Sequence, residues 1–308
     1  MPICEIDPWR VQYFATVPCP AHVRIPTEDS DAWLWNPSHR WIYDKLAVAL
    51  SQGLDAAPHG VTPPSFPVFS KPIYNLKGMG TGSRTVSSAE EMAAAQTAGH
   101  MWSTLLEGDH ISSDLAVVDG RPRWWRHARG QASGDGTFDY WEIGAQANDA
   151  VEAWCGRWCE EHLKGYSGMV NLETIGGRII EGHLRFADQW PDLYGGNPWV
   201  RALVGLYHHN EWRFDDNDRR AGYSVVLFMP HGPRYRSPPD ALLSDIRAIK
   251  GVSSVQITFH PGLDPDRHAM PPGGFRVAIV NCWDRNAGNE ARERLRLWFA
   301  SAEKPPRC

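Results

Sequence analysis

The stretch "NLETIGGRIIEGHLR" offers the first chemistry. Gly176-Gly177 is a turn signal between two β-prone runs, so the spacing predicts a hairpin. A three-residue loop, Gly176-Gly177-Arg178, would pair Ile175 with Ile179 and set Glu173 directly opposite Glu181. Like charges directly opposite destabilise a sheet unless something neutralises them. A divalent cation is a natural neutraliser, because Mg²⁺ takes carboxylate oxygens and completes its shell with waters and phosphates. A two-residue loop would instead send the glutamates to opposite faces, leaving two solvated acids. His183 and Arg185 continue the Glu181 face at a period of two.

The second candidate is "FSKPIYNLKGMGTGSR", residues 69–84, with Lys71 and Lys77 followed by Gly78, Gly80 and Gly82. Alternating glycines let backbone N–H groups approach an anion, and a lysine adds a point charge. The stretch is neither G-x-x-x-x-G-K-[ST] nor a dinucleotide fingerprint. Alone, it reads equally as a phosphate loop or as a hairpin tip. In "WWRHARGQASGDG", Arg126, His127 and Arg129 follow a strand and precede a glycine-rich loop. That pattern fits a carboxylate- or substrate-recognition edge, or a solvated basic patch.

The elements that must position these residues can be read from periodicity. Residues 1–37 are rich in proline and predict a short strand and loops. "SHRWIYDKLAVALSQGL" has a helical pattern closed by Gly53, and "FPVFSK" is a short β run. "SSAEEMAAAQTAGH" places Ser and Glu at capping positions before a run of alanines, which is a helix start. Strands are predicted at "HMWSTLLEG" and at "HISSDLAVVDGRPRWWRHARG", the latter turned at Asp119-Gly120. "AQANDAVEAWCGRWCEEHL" is an amphipathic helix. From about residue 199 the pattern is strand, helix, strand, strand, helix. The expected fold class is α+β to α/β with mostly antiparallel pairs. Its divisions are a short region over 1–44, a core over 45–198 and a small C-terminal α/β subdomain over 199–308.

Composition narrows the function. A net charge of −5 over 308 residues argues against a non-specific nucleic-acid binder, which needs surplus Lys and Arg. No apolar run reaches the roughly 18 residues that span a bilayer. "MPICEIDPWR" lacks the apolar core of a secretory signal. The six cysteines lack paired metal spacing, and Cys155 and Cys159 fit one helix face. A cytoplasmic protein with reduced thiols is expected. The fifteen tryptophans fit core and interface packing better than sugar stacking.

Taken together, loop and hairpin resemble the ATP-grasp superfamily. "YDKLAVALSQGL" resembles its early lysine helix, "PVFSKP" its second lysine strand before the glycine loop, and "STLLEGDHISSDLAVVDG" its hinge. "GMVNLETIGGRIIEGHLR" resembles the hairpin ending in E-x-N-x-R. The resemblance spans about residues 40–195, half of the chain. It implies that Lys45, Lys71 and Lys77 meet ATP phosphates, and that Gly78, Gly80, Gly82 and Ser83 close over them as a lid. Leu105, Leu106 and His110 would line the nucleotide. Glu173, Glu181 and His183 would hold Mg²⁺, and Arg185, with Lys71, would face the reacting groups. Arg126 and Arg129 would meet substrate.

Three departures stand out. His183 replaces the asparagine ligand, which alters the metal shell or makes Mn²⁺ better tolerated. His110 stands where a glutamate often follows the hinge. The region before Lys45 is short, so the substrate half would be reduced, built from the C-terminal region or completed by a partner. The implied activity is an ATP- and Mg-dependent carboxylate–amine ligase acting through an acyl phosphate on small-molecule or peptide substrates, possible as a homodimer. The rivals are a catalytically silent ATP-binding accessory protein and a carbohydrate-binding protein.

Overall fold

The computed structural model describes residue 5 and residues 7–76 and 80–302. Two antiparallel sheets carry the chain. The smaller contains β1 (Ala56–Pro58), β2 (Val68–Pro72), β3 (Arg84–Val86) and β4 (His100–Thr104), in the order β1-β4-β2-β3. The larger contains β5 (His110–Val118), β6 (Arg121–Gly134), β7 (Thr137–Ile143), β8 (Gly168–Ile175), β9 (Arg178–His183), β10 (Gly222–Met229), β11 (Val252–Ile257) and β12 (Phe275–Cys282). Their order is β11-β12-β10-β7-β6-β5-β8-β9. The helices are α1 (Pro8–Val11), α2 (Asp29–Trp35), α3 (Lys45–Ser51), α4 (Ala89–Ala94), α5 (Asp149–His162), α6 (Pro191–Tyr194), α7 (Asn197–His209), α8 (Asp240–Arg247) and α9 (Arg285–Ala302).

Local chemistry starts the helices where the sequence marks them. The Asp44 carboxylate accepts from the Ala47 N–H at 2.9 Å and caps α3, placing Lys45 on its first turn. Ser88 accepts from the Glu91 N–H at 3.2 Å, and the Glu91 carboxylate accepts from the Ser87 N–H at 2.7 Å, which fixes the start of α4.

Strand alternation gives the large sheet two different faces. Ile111, Leu115, Val117, Val170, Leu172 and Ile179 form one core with Val48 of α3 and with Cys155, Trp158 and Cys159 of α5. The opposite face buries Ala116, Trp124, Ala128, Trp141 and Met169 under α6, α7 and the N-terminal segment, through Tyr13, Phe14 and Ile25. Toward the β8–β9 edge this second face turns polar, presenting His110, Ser112, Asp114, Asn171, Glu173, Glu181 and His183. Trp124 packs within 5.1 Å of Tyr194 and 5.4 Å of Trp212 between ring centroids, so these tryptophans are core residues, as composition suggested.

The antiparallel α/β expectation is met. A short strand expected before residue 37 is replaced by α1 and α2. The strand expected first after residue 199 is preceded by α7, whose Trp199, Val200, Leu203 and Leu206 join the core of Trp124, while a further core forms around Leu243, Val277, Leu295 and Phe299. The strands after residue 199 nonetheless join β7 and extend the same large sheet.

Candidate metal centre

The β8–β9 turn sets the geometry of the polar edge. Gly176 and Gly177 both have positive φ, 56° and 77°, the requirement of a two-residue type I′ turn. Ile175 therefore pairs with Arg178 and Thr174 with Ile179, correcting the expected three-residue loop. That register alone would separate the glutamates. A bulge then leaves Ile180 unpaired and resets the alternation, so Glu173 does face Glu181. Gly176 has a second reason to lack a side chain: a Cβ there would lie 2.3 Å from the Glu107 carbonyl oxygen of the linker between β4 and β5.

Lysines from two other elements reach this edge. Lys71, buried on β2, donates from Nζ to the carbonyl of bulged Ile180 at 2.8 Å. Lys45 forms an ion pair with Glu181, and its backbone N–H donates to the Ile73 carbonyl at 3.0 Å, tying α3 to the end of β2. Burial pushes the Lys71 ammonium down to about 8, helped by Lys45 and opposed by Glu181 and Glu173.

Histidines complete the charge balance. His110 Nε2 lies 2.9 Å from Glu173 Oε2. Burial disfavours its charged form, but the hydrogen bond and charge of Glu173 outweigh that and raise its pKa. His183 Nε2 lies 3.5 Å from Glu181 Oε1, and its Nδ1 lies 3.0 Å from Asp29 Oδ1. Burial opposes protonation of His183, yet Asp29 and the hydrogen bonds of both acids raise it to about 9. Burial likewise works against the Glu181 anion, but Lys45 and His183 hold its pKa well below the usual carboxylate range. The opposed glutamates thus already have protein cations beside them, so a metal is not required simply to let them coexist.

Ligand atoms of Glu173, Glu181 and His183 lie within 4.8 Å of one another. Two carboxylates and one imidazole, whose other nitrogen is held by a carboxylate, form a donor set that fits a divalent ion. Arg185 donates from Nη2 to Asp29 Oδ2 at 3.0 Å, and the Tyr43 hydroxyl donates to Asp29 Oδ1 at 3.2 Å. Asp29 escaped the sequence reading because it contacts His183 across 154 residues and sits in no periodic pattern. Asp114 escaped it too. Its carboxylate accepts from Asn171 Nδ2 at 2.7 Å, the Tyr194 hydroxyl at 2.8 Å and the Ala187 N–H at 2.9 Å. Burial pushes Asp114 up to about 6 against those donors.

The remaining expected residues are distributed more widely. Gly80 and Gly82 lie exposed in the β2–β3 connection with φ of 61° and 77°, and the Ser83 N–H donates to the Gly80 carbonyl at 3.2 Å. Lys77 and Gly78 lie outside the described residues. Leu105 and Leu106 are half-buried in the linker between the two sheets. Arg126 and Arg129 do not form one edge. Three positions apart on β6, they point to opposite faces. Arg126 is buried, donating to Asp216 Oδ1 at 2.9 Å, whereas Arg129 is exposed and pairs with Asp109 at 2.8 Å.

No protein-family model matches this sequence, and no curated protein does. Solved structures do match in fold. An L-amino acid ligase from Bacillus licheniformis aligns with a TM-score of 0.58 at 12% identity, covering 86% of this chain and 72% of that one. Phosphoribosylamine–glycine ligase from Thermotoga maritima aligns with a TM-score of 0.59 at 14% identity, covering 93% and 84%. The chain has the ATP-grasp fold. A third ATP-grasp match is the biotin carboxylase domain of Hydrogenobacter thermophilus 2-oxoglutarate carboxylase, in complex with MgADP, ADP and bicarbonate. Its TM-score is 0.51 at 15% identity, covering 75% of this chain and 57% of that one. The tryptophan-rich core of this chain removes one of the two observations that motivated a carbohydrate-binding reading, the other being the paired acids. Among its described residues, no helix is long and apolar enough to cross a membrane.

Proposed function

We propose that this protein is an ATP- and Mg²⁺-dependent ligase that activates a carboxylate as an acyl phosphate for attack by an amine of an amino acid, peptide or protein. The observation that carries the reading is the convergence of Lys45 and Lys71 on the Glu173–Glu181–His183 group within an ATP-grasp fold. In this reaction ATP gives its terminal phosphoryl group to the carboxylate oxygen, and the amine then displaces phosphate from the acyl carbon. Mg²⁺ held by Glu173, Glu181 and His183 would offset negative charge on the phosphates.

The chain's own residues do the rest by position and charge. Lys45 exchanges Glu181 for a phosphate oxygen, and Lys71 adds its charge from the bulge. The amides of Gly80, Gly82 and Ser83 close over the phosphates and exclude water that would hydrolyse the acyl phosphate. Leu105, Leu106 and His110 border the nucleotide. Arg185 holds a carboxylate or phosphate once it turns from Asp29. The described cysteines are free, in keeping with a reducing, cytoplasmic setting.

The experiment is ADP release with Mg²⁺-ATP and pooled amino acids or peptides. Amine-dependent ADP release supports the ligase. Tight ATP binding without turnover supports a second reading, a catalytically silent nucleotide-binding protein. That reading draws on one observation: Lys45, His110 and Asp29 already occupy Glu181, Glu173 and Arg185.

A further inference from the structure

The N-terminal segment supplies one residue to the metal centre, and that residue explains the histidine. Asp29, 5% exposed, opens α2 and lies against the end of β9. Its Oδ1 meets His183 Nδ1 at 3.0 Å and the Tyr43 hydroxyl at 3.2 Å, while its Oδ2 accepts from Arg185 at 3.0 Å. The Tyr43 hydroxyl also accepts from the Leu184 N–H at 3.0 Å, so the acid is clamped from the backbone beside the imidazole. His183 is 4% exposed, and its only other ring nitrogen faces Glu181 Oε1 at 3.5 Å.

A carboxylate on Nδ1 keeps the proton there, fixes the ring plane and leaves Nε2 as the electron-pair donor when an ion displaces any proton it carries. An imidazole without such support at this position would be free to present either nitrogen. Imidazole is also a softer donor than an amide oxygen, and it moves a carboxylate site away from Mg²⁺ and toward first-row transition ions.

We propose that Asp29 is a positioning residue that makes His183 a metal ligand, forming an Asp29–His183–metal relay that gives this site a preference for Mn²⁺ over Mg²⁺. The proposal rests on the reading of Glu173, Glu181 and His183 as the metal centre, but its test needs no turnover. The full chain with ADP is titrated with Mn²⁺, followed by electron paramagnetic resonance, and Mg²⁺ is used as competitor. Pulsed measurements on the bound Mn²⁺ report whether a nitrogen coordinates it.

The wild type is expected to bind Mn²⁺ more tightly than Mg²⁺ and to show a coordinated nitrogen. His183→Asn should abolish the nitrogen signal and narrow the preference for Mn²⁺. Asp29→Asn should weaken Mn²⁺ binding about 10- to 100-fold, the usual cost of losing an outer partner of a ligand. In the His183→Asn background, Asp29→Asn should cost nothing further, because the relay is already gone. If Asp29→Asn does not fold, the nitrogen signal and ion preference of wild type against His183→Asn decide the matter. No coordinated nitrogen in the wild type, or an equal cost of Asp29→Asn in both backgrounds, overturns the relay. Failure of the ligase reading looks different: Mn²⁺ bound through nitrogen with no amine-dependent ADP release sinks the ligase alone.

Discussion

Two groups of ligand-type side chains lie among the described residues, and their counter-ions set them apart. Glu173, Glu181 and His183 form one, and Glu5, Glu28 and Asp188 the other, each with ligand atoms within 4.8 Å. The second is filled by one guanidinium. Arg10 reaches Glu5 at 3.2 Å and Asp7 at 3.6 Å, and it also pairs with Glu28 and Asp188. Arginine keeps its charge and its rigid fork of donors, so nothing there is free to exchange. The acids of the first group are balanced from two separate elements, by Lys45 on α3 and His110 on β5, beside His183 of β9. The comparison teaches that three clustered ligands are not enough to mark a candidate metal centre; the cations that already hold them must be considered too.

Removing Arg10 is the strongest way to break the contrast. Arg10→Met should cost about 3–5 kcal/mol in urea unfolding, because it removes the guanidinium that pairs directly with the buried acids Glu5 and Asp188. A loss below about 1 kcal/mol would mean that the second cluster is not locked.

Glu181→Gln tests the exchangeable side. It should lower Mg²⁺-ATP turnover by at least about 100-fold, the upper end for loss of an outer-shell partner. Full activity in this variant would discard the metal assignment.

Asp114 offers an intermediate case, a buried acid hydrogen-bonded by neutral donors. Asp114→Asn presents an amide N–H to those donors and should cost about 1–3 kcal/mol. With its pKa raised to about 6, the folded state holds a proton that the unfolded chain releases near its ordinary value of 3.8. Its contribution is therefore fully present below about pH 4 and is lost as pH rises through about 6. Thermal melts across that window should lose this component of their slope in the variant.

The smallest effect belongs to Lys71→Ala. It should weaken ATP binding about tenfold, or about 1.4 kcal/mol, by calorimetry. An unchanged affinity would transfer the phosphate role to Lys77.

Some of this was legible in sequence, and one part for a compensated reason. The facing of Glu173 and Glu181 follows from strand parity, but the loop has two residues and a bulge at Ile180 restores the count. A bulge adds one residue without a distinctive sequence sign, so the two departures cancel unseen. Lys45 and Lys71 were legible because a capped helix and a short β run fixed their places. The Arg126–Arg129 edge failed on the same parity rule that served the glutamates. Asp29 was beyond reach, because only the packed chain brings it to His183 and Arg185.

The central claim is that the hairpin edge is an exchangeable nucleotide–metal site. Isothermal titration of the wild type and Glu181→Gln with a non-hydrolysable ATP analogue, with and without Mg²⁺, tests it most directly. The account predicts Mg²⁺-dependent binding in the wild type and its loss in Glu181→Gln. No binding by the wild type, or the same Mg²⁺-dependent affinity in both proteins, would contradict it.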